Sequence, residues 1–443
     1  MSTDNRQMNL NLFIYPNGHH EAAWRHPAST PERGTDIEYF QDLAKQAEAA
    51  RFDALFFADS RTMANDLKFG LRNRFEPITW LSAIAAVTQR IGLIATASTT
   101  YSEPYNLARL FSSLDHLSRG RAGWNIVTTS AAAASANYGI TEHPPLTERY
   151  ARAQEFVDVT TRLWDSWEDD ALTLDKAAGV YANENKVHDI AHHGAYFNVE
   201  GALTLPRSPQ GRPVYVQAGG SEDGRDFAAR HAEVIFTAHQ SLDSALEFAN
   251  DIRQRARKFG RDPTQVKILP GINPFIGETP ALAQQSFDEL NQLINPHLSL
   301  LQLKRLLGAD LSGCNLDEPI PPNLIDFNGP QSQTSRFKLV AGIVEKDNPT
   351  LRELIIRIAG ARGHWVPIGT PEQIADLMQQ WFEVGAADGF NLMPPLLPSG
   401  LGDFVRQVLP ILRARGLFRA EYTGTTLRDH LGLHRPSSVF AVE

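Results

Sequence analysis

The chain has 443 residues, 42% of them hydrophobic and 21% charged, which is enough for one large globular domain or two smaller ones. Its 42 Lys and Arg against 51 Asp and Glu leave a formal charge of −9, which argues against nucleic acid or an anionic membrane as the main partner. No apolar run approaches the roughly 18 residues of a membrane span, MSTDNRQMNLNLFIYP lacks the order of a signal peptide, and the single cysteine, Cys314, excludes an intrachain disulfide, so a cytoplasmic protein is expected.

Along the chain, short apolar runs alternate with amphipathic ones. Strands are expected at NLNLFIY (9–15), DALFFA (53–58), IGLIATA (91–97), AGWNIVT (122–128), PVYVQA (213–218), EVIFTA (233–238), VKILPGINP (266–274) and GFNLM (389–393). Helical patterns follow them, such as IEYFQDLAKQAEAA after the first and PYNLARLFSSLDHL after the third. In TPEQIADLMQQWFEV, Ile374, Leu377, Met378 and Trp381 share one helical face, and Thr370 with Gln373 forms a capping box. Eight such units predict an α/β fold, a (β/α)8 TIM barrel with insertions, built as a single domain over 1–443. An open doubly wound sheet is disfavoured, because NLNLFIYPNGHHEAAW has no GxGxxG turn. Two polar stretches break the alternation, at about 169–212 and about 292–366; the second is expected to be a lid over the barrel. The tail, about 417–443, reads as an arm against the barrel or a neighbouring subunit.

A barrel of this type places its active site where strands end and loops begin. His19 and His20 follow the first strand, Phe56 and Asp59 mark the second, and Thr96, Ser98, Thr99 and Thr100 mark the third. The fourth ends in Thr128, Thr129 and Ser130 and runs into alanines, as a loop does or as a wall against a flat ligand does. Gly219-Gly220-Ser221 opens a helix, where free N–H groups bind phosphate or Ser221 simply caps the turn. His19 has the chemistry of an acid, base or hydrogen-bond donor. His188, His192 and His193 lie in a segment without helical spacing and read as structural. One of Phe56 and Phe57 must face the barrel interior, since neighbours on a strand alternate.

Several long motifs in one order carry a resemblance: GHHEAAWRHP (18–27), RFDALFFADS (51–60), ATASTTYSEPYNLARLFSSLDHLSRGRAGWNIVTTS (95–130), ERYARAQEFVDVTTRLWDSWEDDAL (148–172), KVHDIAHHGAYFNVEG (186–201), RSPQGRPVYVQAGGSEDGRDFAARHAEVIFTA (207–238) and GTPEQIADLMQQWFEVGAADGFNLMPP (369–395). The chain resembles the bacterial-luciferase-like flavin monooxygenases, in the branch that includes the nitrilotriacetate, long-chain alkane and dibenzothiophene sulfone monooxygenases. The resemblance implies a two-component monooxygenase. It would use reduced FMN (FMNH2) from a separate NAD(P)H-dependent flavin reductase, and O2, to oxygenate a small organic substrate through a flavin peroxide, as a homodimer or homotetramer. It implies that Asp59, Thr96, Thr129 and Ser130 lie against the flavin, that Tyr150 and Ser221 hold its phosphate, and that His19 and Phe56 stand at the reacting centre. Relatives carry a histidine four residues before the tyrosine; here that position is Leu146, with His143 three residues earlier. A non-catalytic flavin-binding barrel and a deazaflavin-dependent oxidoreductase are the alternatives. The substrate stays open between an acidic molecule met by Arg61, Lys68, Arg72 and Arg74 and an apolar one met by Phe56, Phe57 and Phe236.

Overall fold

In the computed structural model, residues 6–63, 67–69, 75–327, 329 and 335–440 are described. Strands β1 (Asn9–Phe13), β2 (Ala54–Phe57), β3 (Gly92–Ser98), β4 (Ala122–Val127), β5 (Val214–Gln217), β6 (Val234–Thr237), β7 (Lys267–Ile272) and β8 (Gly389–Leu392) form one closed barrel in chain order, with β8 returning to β1. Every pairing is parallel, from Asn11 opposite Ala54 round to Asn11 opposite Asn391. Alternation sorts the side chains. Leu10, Leu12, Leu55, Phe57, Leu93 and Ala95 pack outward in the main apolar cluster with the surrounding helices. Phe13, Ala54, Phe56, Ile94, Val216 and Phe236 fill the interior.

The surrounding helices are α1 (Ile37–Ala49), α2 (Pro77–Ala85), α3 (Pro104–Leu117), α4 (Leu146–Asp165), α5 (Glu222–His231), α6 (Leu242–Lys258) and α7 (Pro280–Gln292), with α8 (Pro296–Leu307), α9 (Ser335–Asp347), α10 (Leu351–Ala361) and α11 (Pro371–Glu383) before β8. The expected capping box opens α11: Thr370 accepts from the Gln373 N–H, and the Gln373 side chain returns to the Thr370 N–H.

The segment 292–366 was expected as loop, but it is largely helical. Helices α8, α9 and α10 bury Leu303, Leu307, Phe337, Val340, Leu354 and Ile358 in a core of their own. That core outweighs the local Pro and Gly signals: Pro296 opens α8, Gly342 and Gly360 are accommodated inside α9 and α10, and the other signals fall between the helices. The segment is tied to the loop after β1, where Glu21 N–H donates to the Ala359 carbonyl (3.0 Å) and Arg362 to the Tyr15 hydroxyl (2.7 Å). The 169–212 stretch holds two small hairpins, Leu172–Asp175 with Val180–Ala182 and His192–His193 with Asn198–Val199.

The tail packs on the barrel of its own chain, at the end where the strands begin. Leu427 and Leu431 enter the interior cluster from below. Arg419 meets Asp53 at 2.6 Å, and Asp53, fully buried, also accepts from Leu10 N–H and the Asn9 side chain. Arg428 pairs with Glu233 beneath β5 and β6.

Several buried histidines are held neutral by the fold, His20 and His239 among them. His20 and His239 are each pushed down to about 4 by burial; Asn291 beside His20 opposes this only in part. The folded state therefore binds fewer protons than the unfolded chain below the ordinary value of 6.5. Their contribution is complete above that pH and is lost as pH falls towards 4, at about 2 kcal/mol per histidine by pH 5. Urea unfolding at pH 7 and pH 5 is expected to show this loss, and a His239→Gln variant is expected to show a smaller one. An identical pH dependence in that variant would contradict the assignment.

Candidate active site

A cavity of about 390 Å³ opens at the carboxyl ends of the strands. Phe13, Phe56, Phe236 and Met393 give it an apolar floor, and the ends of β3, β4 and β5 give it a polar wall. Phe56 meets Phe13 and Phe236 edge-on, with centroids 4.9 and 5.3 Å apart. Phe57 turns the other way and packs on Trp80 at 3.8 Å.

The wall grows out of the stretch GWNIVTTS. Asn125 points inward from β4, opposite Thr96 of β3, and its amide donates to the Thr96 hydroxyl (2.8 Å). Asn125 Oδ1 is buried with no partner among the described residues, which leaves a carbonyl in the cavity wall for a ligand N–H. Past Val127 the chain bends sharply. Thr129 has φ +36°, a left-handed conformation that costs a β-branched residue energy. Its hydroxyl donates to Ser98 (2.7 Å), and the carbonyls of Thr128 and Thr129 both accept from Arg149 at 3.0 Å. These bonds hold the bend, and Ala131 continues the wall without bulk.

Helix α5 supplies the other part. Ser221 caps it, with Oγ accepting from Gly224 N–H (3.2 Å). Tyr150, on α4, faces Ser221 and Thr128, and burial raises its pKa although those two neighbours act to lower it. A Cβ at Gly219 would lie 2.9 Å from the Tyr150 hydroxyl, and one at Gly224 would lie 2.8 Å from it. Glycine at both positions lets the phenol reach the helix start. The N–H groups of the first turn have no acceptor within the helix, and Glu222 is drawn aside to Arg255 (2.7 Å). Capping and anion binding are therefore compatible at Ser221. The result is a concave helix start walled by Tyr150, Gly219 and Ser221, with Glu222 and Asp223 in its first turn.

Of the expected site residues, Phe56, Asp59, Thr96, Thr129, Ser130 and Tyr150 line the cavity, and Ser221 joins it through Tyr150. His19 does not line it. The ring is 1% exposed, its Nε2 is 2.8 Å from the Phe13 carbonyl, and it packs on Phe13 and Tyr15 from behind. His143 is held by the Tyr101 hydroxyl (2.8 Å), and Leu146 opens α4. Arg61 is engaged by Asp59 and the Tyr138 hydroxyl, Lys68 is exposed, and Arg72 and Arg74 lie outside the described residues. His188, His192 and His193 each meet a different glutamate, and no metal-binding group is found among the described residues.

The cavity also holds residues that the sequence reading did not single out. Gln217 accepts from Gly219 N–H (2.7 Å) and stands beside Asn125 on the wall. Asn125 was accessible from strand alternation, as a polar residue with inward parity; Gln217, next to the inward Val216, has the opposite parity and reaches the cavity only because its strand ends there. Arg336, Arg362 and His364 come from the 292–366 segment and carried no such signal. His364 stacks on Phe236 (4.9 Å, 7°), and burial, with the charges of Arg336, His19 and Arg362, holds its pKa far below the usual value.

The family profile of the luciferase-like monooxygenases matches residues 18–388. The chain is 49% identical over 442 residues to the N-acetyl-S-(2-succino)cysteine monooxygenase of Bacillus subtilis (strain 168), with 100% of both chains covered. It is 44% identical over 450 residues to nitrilotriacetate monooxygenase component A of Aminobacter aminovorans, with 99% of each covered. Among solved structures, riboflavin lyase with modified FMN and riboflavin superposes with a TM-score of 0.85 at 33% identity, over 98% of this chain and 97% of that one. The chain belongs to the luciferase-like monooxygenase family and is a flavin-dependent monooxygenase.

Proposed function

We propose that the chain is the oxygenase of a two-component system, taking reduced FMN from a separate NAD(P)H-dependent flavin reductase and using O2 to oxygenate a small organic substrate in the cavity above Phe56. The cradle built by Tyr150, Ser221 and the first turn of α5 carries this reading. It suits the phosphate that distinguishes FMN from riboflavin. The buried Asn125 Oδ1 suits an N–H at the polar edge of an isoalloxazine, and Ala131, Ala218 and Gly219 leave room for the flat ring and its ribityl chain. When bound, reduced FMN supplies two electrons and the reaction with O2.

In this reading Asp59, Thr96, Thr129 and Ser130 hold the flavin's polar edge. Phe13, Phe56, Phe236 and Met393 exclude water from the face where substrate sits. His19 is a positioning residue that fixes the rings of Phe13 and Tyr15. The helices of 292–366 close the mouth, acting as the lid of a single-domain barrel. Family resemblance also makes a homodimer or homotetramer the expected assembly. Among the described residues no helix is long and apolar enough to cross a membrane.

Anaerobic titration of the protein with FMNH2, with oxidised FMN and with a deazaflavin tests the proposal. FMNH2 is expected to bind tightest. Preference for the deazaflavin would replace the oxygenase reading with a hydride-transfer one.

A further inference from the structure

Arg336 and Arg362 line the side of the cavity formed by the helical segment 292–366. Arg336 donates to the Arg362 carbonyl, and Arg362 donates to the Tyr15 hydroxyl (2.7 Å) with its guanidinium 4.5 Å above the Tyr15 ring. Among the described residues neither guanidinium pairs with a carboxylate. Although Arg336 as a whole residue is exposed, crowding around its guanidinium and the charge of Arg362 push its pKa down to about 10, so it stays protonated at neutral pH. Asp59, the carboxylate on the cavity wall, is met by Arg61. Two like charges facing one cavity without a counter-charge repel each other unless an anion enters.

The phosphate cradle does not answer that need for Arg362; Arg336, which donates to the Arg362 carbonyl, also borders a neighbouring cavity with Ala218, Gly220 and Arg225. The cradle stands at the end of β5, whereas Tyr15 and Arg362 stand beyond the end of β1, four strands away round a barrel of eight. Between them lies the apolar floor of Phe13, Phe56, Phe236 and Met393. A ligand matching this layout has an anionic end and a weakly polar middle.

We propose that Arg336 and Arg362 are the substrate-specificity residues, and that the substrate is a small carboxylic acid whose carboxylate they bind while its oxidisable centre rests on the aromatic floor. This assignment rests on the oxygenase reading above for the position of the flavin. Arginine suits the task because its fork matches a carboxylate in bidentate geometry. Tyr15 keeps the Arg362 side chain oriented, which lowers the ordering cost of binding.

The test uses thiodiacetate and its uncharged diamide, titrated anaerobically into the FMNH2-loaded protein. The diacid is expected to bind at least about tenfold tighter than the diamide. Arg336→Gln and Arg362→Gln are each expected to remove most of that preference while FMNH2 affinity stays within about twofold. Arg362 closes α10 in a left-handed conformation, so Arg362→Lys is the second variant at that site and is expected to bind the diacid with intermediate affinity. Equal binding of acid and amide, absence of diacid binding, or loss of FMNH2 affinity in the glutamine variants overturns the proposal. The same titration of flavin-free protein separates the two readings: a retained acid preference without FMNH2 binding supports the arginine site and removes the cofactor assignment alone.

Discussion

Gly219→Val is expected to lower FMNH2 affinity by at least ~100-fold while the barrel stays folded. A Cβ at this position would stand 2.2 Å from Gln217 Nε2, 2.9 Å from the Tyr150 hydroxyl and 3.1 Å from Gly224 Cα. The Gln217 amide and the Tyr150 ring tip can move, but moving them dismantles the cradle; the Gly224 contact at 3.1 Å is relieved by a shift of a few tenths of an ångström at the helix start. Charge-assisted hydrogen bonds to a phosphate contribute about 1.5–3 kcal/mol each, so losing two accounts for the factor. Gly219 is only half-buried at the mouth, which is why thermal stability is expected to change little. Reduced riboflavin provides the control. It lacks the phosphate, so its weaker binding is expected to be nearly the same in the variant and the parent. Equal losses for riboflavin and FMNH2 would remove the phosphate from this cradle.

The second large effect lies at the opposite end of the barrel. Leu427→Ala is expected to cost about 3–4 kcal/mol of stability and to leave FMNH2 affinity unchanged. Leu427 is fully buried and plugs the barrel between Gly92 and Gly123, where added Cβ atoms would lie 2.4 and 3.3 Å from its methyl groups. Those two glycines make the room that the leucine fills, so truncation leaves a cavity that the strands cannot close. With an unfolding entropy of about 0.9 kcal/mol/K for a chain of this length, the shift in Tm is about 4 °C. Calorimetry on both proteins checks it. An unchanged Tm would mean that the tail is not part of the folding unit.

The parts of the structure that follow from local chemistry were legible in the sequence. All eight strands lie within two residues of their expected limits, because each is a short apolar run bounded by turn residues. The inward turn of Phe56 and outward turn of Phe57 followed from alternation up to the choice of parity, which the barrel's closure fixes. GWNIVTTS posed the choice between a plain loop and a ligand wall, and it forms a bent wall because Thr129 is held at positive φ by Ser98 and Arg149.

What escaped depends on tertiary placement. Arg336 and Arg362 are ordinary helix-end residues in sequence, and only the packing of α9 and α10 brings Arg362 over Tyr15 and Arg336 to the Arg362 carbonyl. Helix α10 itself was accessible: Leu351, Leu354, Ile355 and Ile358 fall on one face, behind the Thr350–Glu353 capping box. The surrounding Pro- and Gly-rich stretches masked that pattern. His19 shows the reverse case. A histidine after a barrel strand invites a catalytic role, yet the Phe13 carbonyl and two aromatic rings enclose it.

The most direct test of the oxygenase account is the fate of labelled oxygen. The protein, a flavin reductase, FMN and NADH are supplied with a panel of small thioether and amine acids under 18O2, and the products are analysed by mass spectrometry. The account predicts a product carrying one 18O atom for each FMNH2 consumed, with a Gly219→Val variant forming almost none. Consumption of O2 that yields only hydrogen peroxide across the panel, or product oxygen drawn from water, would contradict it.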